Sequence, residues 1–289
     1  MSSDNLLNKV KKLREITGVG FKDCKSAIDE TKGDIEKSIE LLRKKGIAKA
    51  SKRMERVASE GLVCIYEKDN KISIIEINSE TDFVAKNNEF INFAEEISKL
   101  ALLESGNLEN IFNSKMKNKK NVKDSLVDLI SKIGEKITLR RSDFIGDEKC
   151  INFSYVHSSV KKNIGKLGVI LSLETKKPKN EILDLGKQLA MQIAASAPLA
   201  INKENLDINL INKEKEIIKE ELKNSGKETS IADKIAMGKI NKFINDNTLL
   251  NQEWIMEPKK KVKDIIKEFS NKDPIKIKKF IRYKVGEGV

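Results

Sequence analysis

The chain offers little for side-chain catalysis. His157 is its only histidine, and Cys24, Cys64 and Cys150 stand far apart with no C-x-x-C pair. A lone imidazole rules out metal sites built on two histidines, and relays in which one imidazole activates while another transfers. The cysteine spacing supports neither a disulfide framework nor a thiolate cluster, so buried free thiols are expected. Phosphate-cradling glycines are missing too. Nothing matches G-x-x-x-x-G-K-[ST], and after Gly18-Val19-Gly20 the third glycine of a dinucleotide fingerprint is replaced by Asp23. The expectation is a chain with no catalytic constellation, no metal site and no cofactor of its own.

Charge is the next feature that could do chemistry. The formal net charge is +12, with +6 carried by residues 1–56, +6 by residues 255–289, and balance between them. Only seven of the 56 basic residues are arginine, and one Trp and three Tyr are available to stack on bases. Arginine supplies most bidentate contacts to phosphate and guanine, so specific nucleic-acid recognition is poorly supported. An acidic protein partner accounts for the basic ends equally well. The 289 residues are 39% hydrophobic and 35% charged, enough for a buried core and about two domains. No run approaches ~18 consecutive apolar residues, and Met1-Ser2-Ser3-Asp4-Asn5 has no secretory pattern, so a soluble cytoplasmic protein without membrane contact is expected.

The elements that must position these residues follow from periodicity. From Asn5 to Lys45 apolar residues fall at helical spacing in three runs, broken at Thr17-Gly18-Val19-Gly20 and Lys32-Gly33-Asp34, with Asp34 placed to cap the third helix. Lys44 to Arg56 continues as a helical connector. The pattern then switches to extended structure: Leu62 to Tyr66, a polar turn at Asp69-Asn70, and Ile72 to Ile77 predict a hairpin. It runs into Asn78-Ser79-Glu80-Thr81-Asp82-Phe83-Val84, after which helical spacing holds from about Asn87 to Leu103, placing Asp82 and Phe83 at a strand-to-helix corner. A Lys/Asn-rich loop, Asn113 to Asn121, precedes a helix over Val122 to Ile133 and a strand over Ile137 to Phe144.

The α+β rhythm repeats in the second half. Cys150 to His157 and Leu167 to Glu174 read as strands joined by a loop, Ser158 to Lys166, and Ile182 to Ala197 as a helix ended by Pro198. Residues 205–244 break the rhythm with two charged helices about Asn224-Ser225-Gly226, an antiparallel hairpin whose apolar stripe (Ile217, Ile218, Leu222; Ile231, Ile235, Ile240) is too narrow for a globular core. It could meet a partner or pair with a second copy as a homodimer. A helix over Val262 to Phe269 and a strand over Ile275 to Val285 close the chain.

Four stretches resemble one family. Lys12 to Lys25 (K-L-R-E-I-T-G-V-G-F-K-D-C-K), Asn78 to Asn87 (N-S-E-T-D-F-V-A-K-N), Leu189 to Pro198 (L-A-M-Q-I-A-A-S-A-P) and Val285 to Gly288 are similar, in order, to the signatures of bacterial elongation factor Ts. That family exchanges the guanine nucleotide of elongation factor Tu. The resemblance implies an α+β fold: a ubiquitin-associated-like three-helix module with its connector (1–56), a first core half (57–146), a second core half (147–204 and 245–289), and an inserted coiled-coil hairpin (205–244). It also implies the partner, elongation factor Tu in its GDP-bound and nucleotide-free states, from which GDP is released when the magnesium and phosphate site is disturbed.

Residue by residue, the resemblance assigns Thr81, Asp82, Phe83 and Val84 to the element whose aromatic ring wedges into the GTPase and disturbs its magnesium. Read as residues alone, Phe83 would pack under the adjoining helix and Asp82 would cap it. His157 matches a family histidine that contacts the GTPase, although a lone histidine closing a strand is by itself only a surface residue. Phe21, Lys22 and Lys25 match the module's partner-facing loop and helix start; alone, Phe21 would seal the three-helix core and the lysines would be solvated. The chain departs from the family in three ways. Gln192 stands where histidine is common, the loop Ser158 to Lys166 is longer than the glycine-rich version, and the chain stops at Val289 where some members continue into a further helical module, whose contacts are expected to be missing. Outside the resemblance, the alternatives are a basic nucleic-acid-binding protein, a peptide-binding adaptor carried by residues 1–56 and, last, an enzyme.

Overall fold

The computed structural model describes residues 3–17, 19–53, 55–223 and 229–289, so Gly18 and the expected turn at Asn224-Ser225-Gly226 lie outside the described residues. Three helices open the chain: α1 (Ser3–Thr17), α2 (Phe21–Glu30) and α3 (Ile35–Arg53). Their apolar positions converge on a small core of Val10, Leu13, Cys24, Ala27, Ile28 and Leu42. Asp34 accepts a 3.0 Å hydrogen bond from the Lys37 N–H, satisfying one of the free donors at the start of α3. The lysine-rich connector is a continuation of α3 as far as Arg53, whose Nη1 donates to the Ile130 carbonyl at 2.8 Å.

The body begins with β1 (Glu60–Lys68) and β2 (Lys71–Ser79), joined through Asp69 and Asn70 at φ 51° and 60°, the left-handed pair that a two-residue hairpin turn requires. Then come α4 (Asp82–Ala85), α5 (Asn88–Leu103), α6 (Leu108–Asn113), α7 (Val122–Ile133) and β3 (Ile137–Ile145). The second half has β4 (Cys150–Lys161), β5 (Ile164–Glu174), α8 (Leu183–Ser196), α9 (Ile208–Lys223), α10 (Thr229–Asn247), β6 (Glu253–Trp254), β7 (Glu257–Lys261), α11 (Val262–Ser270) and β8 (Lys276–Lys284).

Six strands form one antiparallel sheet in the order β3-β2-β1-β5-β4, with β8 also paired to β5. Strand β1 meets β5 only at Val63↔Gly165 and Cys64↔Ile164; from Leu167 onward β8 takes over that edge. The sheet thereby folds into two halves, β1-β2-β3 and β4-β5-β8, lying face to face. Alternation along each strand explains why both faces are apolar. Leu62, Cys64, Ile75 and Ile77 face α5 and α7, whereas Val63, Ile65, Ile72 and Ile74 pack on Ile170, Ile281 and Tyr283 of the other half. Gly168 sits at the crossing: a Cβ there would lie 2.7 Å from Val63 Cγ1, so any side chain would push the halves apart. The far face of β5 packs Val169, Leu171 and Leu173 against Leu185, Leu189 and Ile193 of α8 and Ile265 of α11. The architecture is α+β, with helices outside and the two sheet halves between them.

Two expectations need correcting. The segment Ser158 to Lys166 is not an open loop. Strand β4 runs to Lys161 and β5 starts at Ile164, with a bulge between Ser159 and Lys161 and Asn163 turning at φ 63°. Ser158 to Lys162 are exposed, so this hairpin tip lacks the apolar alternation that marks a strand. On α9, Ile218 and Leu222 are buried but Ile217 is 51% exposed, so the stripe is narrower than its sequence suggests. Helices α9 and α10 run antiparallel, with Lys239 paired to Glu221 at 2.7 Å, and join the body through Ala200, Leu206, Ile211 and Ile244. No described helix is long and apolar enough to cross a membrane.

Candidate partner-binding surfaces

The corner after β2 is built by its neighbours. Asn87 ends the turn by capping α5, its Oδ1 accepting from the Glu89 N–H at 2.8 Å. Helix α4 is a single turn of four residues, too short to be stable by itself. It is held from below by Val84 and Ala85, 6% and 1% exposed within the core beneath β1 and β2. It is held from behind by Glu135, whose carboxylate accepts from the Thr81 N–H at 3.0 Å and the Thr81 hydroxyl at 2.7 Å. Phe83 points the other way and is 79% exposed. An aromatic ring left in water forgoes about 2 kcal/mol of burial, and the backbone that presents this one is fixed on two sides, by Val84 and Ala85 in the core and by Glu135.

Asp82 does not cap the helix. Its Oδ2 accepts from Lys86 Nζ at 2.7 Å, and that ammonium holds the carboxyl below its ordinary range. The same Nζ lies 6.0 Å from the centre of the Phe83 ring, at the edge of cation–π range. Of the four residues that the resemblance groups together, Phe83 is presented to solvent, Thr81 and Asp82 are half-buried and fix its base, and Val84 anchors it in the core.

His157 lies in β4 and is exposed, its Nδ1 3.1 Å from the Tyr155 hydroxyl. It rims an apolar groove of about 250 Å³ with Tyr155, Leu167, Met191, Ala194 and Ile255. Gln192 does not line this groove but holds the segment that carries Ile255. Wholly buried, it accepts from the Ile255 N–H at 2.9 Å and donates to the Glu253 carbonyl at 3.1 Å, tying the 253–255 segment to α8. The third surface is on the N-terminal bundle. Phe21 opens α2 at 43% exposure, outside the three-helix core, with Lys22 and Lys25 exposed beside it and Ile16 exposed at the end of α1.

Sequence reasoning missed Glu135, Lys86, Met191 and Ile255. Two carried a signal: Lys86 stands four residues after Asp82, the spacing of a helical ion pair, and Glu135 follows Gly134, whose φ of 92° ends α7 in the left-handed region, and falls opposite the end of β2 once the Ser79↔Ile137 register is known. The three cysteines are buried free thiols, and burial pushes the Cys64 thiol well above its ordinary range. No group of His, Cys, Asp and Glu able to hold a metal ion occurs among the described residues.

A rigid corner presenting an unpacked ring, an apolar groove beside a histidine and a small bundle with an exposed aromatic belong to the class of proteins that act through contact with another macromolecule. A family model described as Elongation factor TS matches residues 80–287. Elongation factor Ts of Clostridium kluyveri is 42% identical over 287 residues, covering 97% of this chain and 92% of that protein. Those of Methylobacterium nodulans and Bartonella tribocorum are 41% and 40% identical with the same coverage. The chain belongs to the elongation factor Ts family, the translation elongation factors of that name.

Proposed function

We propose that the chain binds GDP-loaded elongation factor Tu in the bacterial cytoplasm and speeds GDP release by disturbing the magnesium and phosphate contacts of the bound nucleotide. The observation that carries this reading is the Phe83 ring, 79% exposed on a corner braced by Val84 below and Glu135 behind. A ring held in that way enters a partner's surface without first paying to order itself. The groove beside His157 and the Phe21 face of the bundle supply further contact, so that the complex does not depend on the wedge alone.

No covalent step is needed. The chain lowers nucleotide affinity by binding a partner conformation in which the phosphate and magnesium contacts are impaired, and the coupling is reciprocal. Whatever factor this chain removes from GDP affinity, GDP removes from the affinity for this chain, each tenfold amounting to ~1.4 kcal/mol. The ternary complex then decays by losing either partner. Fluorescent GDP preloaded on elongation factor Tu and chased with unlabelled GDP tests the reading: release accelerates and saturates with added chain. A rate independent of the chain's concentration refutes it.

A further inference from the structure

Where the β2–β3 ladder ends at Ser79↔Ile137, two glutamates continue it with their side chains. The Glu80 carboxylate accepts from the Lys136 N–H at 2.6 Å, and the Glu135 carboxylate accepts from the Thr81 N–H at 3.0 Å. Each carboxylate satisfies a backbone donor of the facing segment just past the end of the ladder, so the two segments grip each other reciprocally. The connector of the N-terminal bundle joins the same knot. Arg56 Nη1 lies 3.3 and 3.2 Å from the two Glu80 oxygens, and Lys136 Nζ donates to the Arg56 carbonyl at 2.7 Å.

Of these bonds, those of Glu135 bear most directly on the ring. Thr81 occupies the N-cap position of α4, yet its hydroxyl makes no capping bond there and is given to Glu135 instead. Both Thr81 donors therefore end on one carboxylate, in charge-assisted bonds about twice as strong as neutral ones, two residues before Phe83. We infer that Glu135 is a positioning residue for the Phe83 wedge, setting the angle at which the ring leaves the corner. The inference rests on the proposed exchange function. Glu135 touches neither partner nor nucleotide in this account and acts only through Thr81.

The test uses the full chain with Glu135→Ala, Glu135→Gln and Thr81→Val, and two readouts. Amide hydrogen exchange follows residues 81–86, and release of labelled GDP from elongation factor Tu is fitted for its maximal rate and half-saturating concentration. Glu135→Ala is expected to speed exchange at Thr81 about tenfold. It is expected to lower the maximal release rate about tenfold, a typical penalty for a displaced contact group, with half-saturation within about twofold because the other surfaces are intact. Glu135→Gln, which keeps one acceptor, recovers part of the rate, and Thr81→Val loses about threefold.

A maximal rate within about twofold of the parent in Glu135→Ala, or rate and half-saturation moving together without rescue by Gln, overturns the inference. If the alanine variant does not fold, Thr81→Val decides on the same terms, and an unchanged rate there overturns it. If the parent chain releases no GDP, the exchange function fails. Thr81 exchange in the folded variants then decides the clasp by itself, and unaltered exchange refutes it.

Discussion

Lys86 Nζ donates to Asp82 Oδ2 at 2.7 Å across one turn of helix, and the exposed Phe83 ring stands beside this ion pair, its centre 6.0 Å from the ammonium. The pair keeps Asp82 ionised at acidities where a free aspartate would take up a proton. Its folded pKa is therefore lower than its unfolded one, chiefly through the Lys86 hydrogen bond. The resulting stabilisation is complete above about pH 4, the unfolded value, and is lost as pH falls through the lower folded value. An NMR titration of the Asp82 carboxyl is expected to show a midpoint below that of a free aspartate, moving back up in Lys86→Ala. An unmoved midpoint contradicts the pairing.

Neighbouring positions on α4 are expected to separate function from stability. Phe83→Ala removes a ring that packs against little of its own fold and should change unfolding free energy by no more than about 0.5 kcal/mol. Val84→Ala empties a site that is 6% exposed and should cost about 2 kcal/mol. Urea unfolding of both variants checks the ordering. A large loss in Phe83→Ala would mean that the ring is part of the core.

Gln192→Ala leaves the Ile255 N–H and the Glu253 carbonyl without their side-chain partner and should destabilise by about 2 kcal/mol. Gln192→His, which keeps one donor and one acceptor, should lose less. Urea midpoints at neutral pH compare the two, and equal losses would show that cavity formation rather than hydrogen bonding sets the effect.

Glu76 is wholly buried and binds Arg140 Nη1 at 3.1 Å, Arg141 Nε at 2.6 Å and the Gly286 N–H at 2.9 Å, pinning the glycine-rich close to β2 and β3. Glu76→Ala takes the carboxylate from two guanidiniums that keep partial solvent exposure and the Glu287 and Lys284 carbonyls, and should cost about 3 kcal/mol. Limited proteolysis would then cut near the C-terminal end first. A variant as stable as the parent, uncut there, contradicts the role.

Much of this arrangement is legible in residue order. The β1–β2 hairpin follows from two short apolar runs on either side of Asp69-Asn70, and α7 from apolar spacing with Asn121 before it and Gly134 after it. What alternation cannot supply is the identity of a strand exposed on both sides, which is why the β4–β5 tip reads as a loop. Helix α6 has six residues and one fully buried side chain, Ile111, so its periodicity is below notice and only the Asn107 cap marks it. Phe83 shows the limit most sharply. By composition a phenylalanine after a strand belongs inside; what turns it outward is Val84 filling the core position next to it and Glu135 holding Thr81 from 54 residues away, a relation that exists only once β2 and β3 are paired. Gln192 is the converse case, a polar side chain buried among the apolar positions of α8 and satisfied there by hydrogen bonds to the 253–255 segment.

The wedge itself is tested most directly by stopped-flow release of labelled GDP from elongation factor Tu, with parent chain and Phe83→Ala each at saturating concentration. The maximal rate is predicted to fall about tenfold or more in the variant while half-saturation moves by no more than a few-fold, since one contact is lost from a broad interface. A variant whose maximal rate equals that of the parent would remove Phe83 from the mechanism.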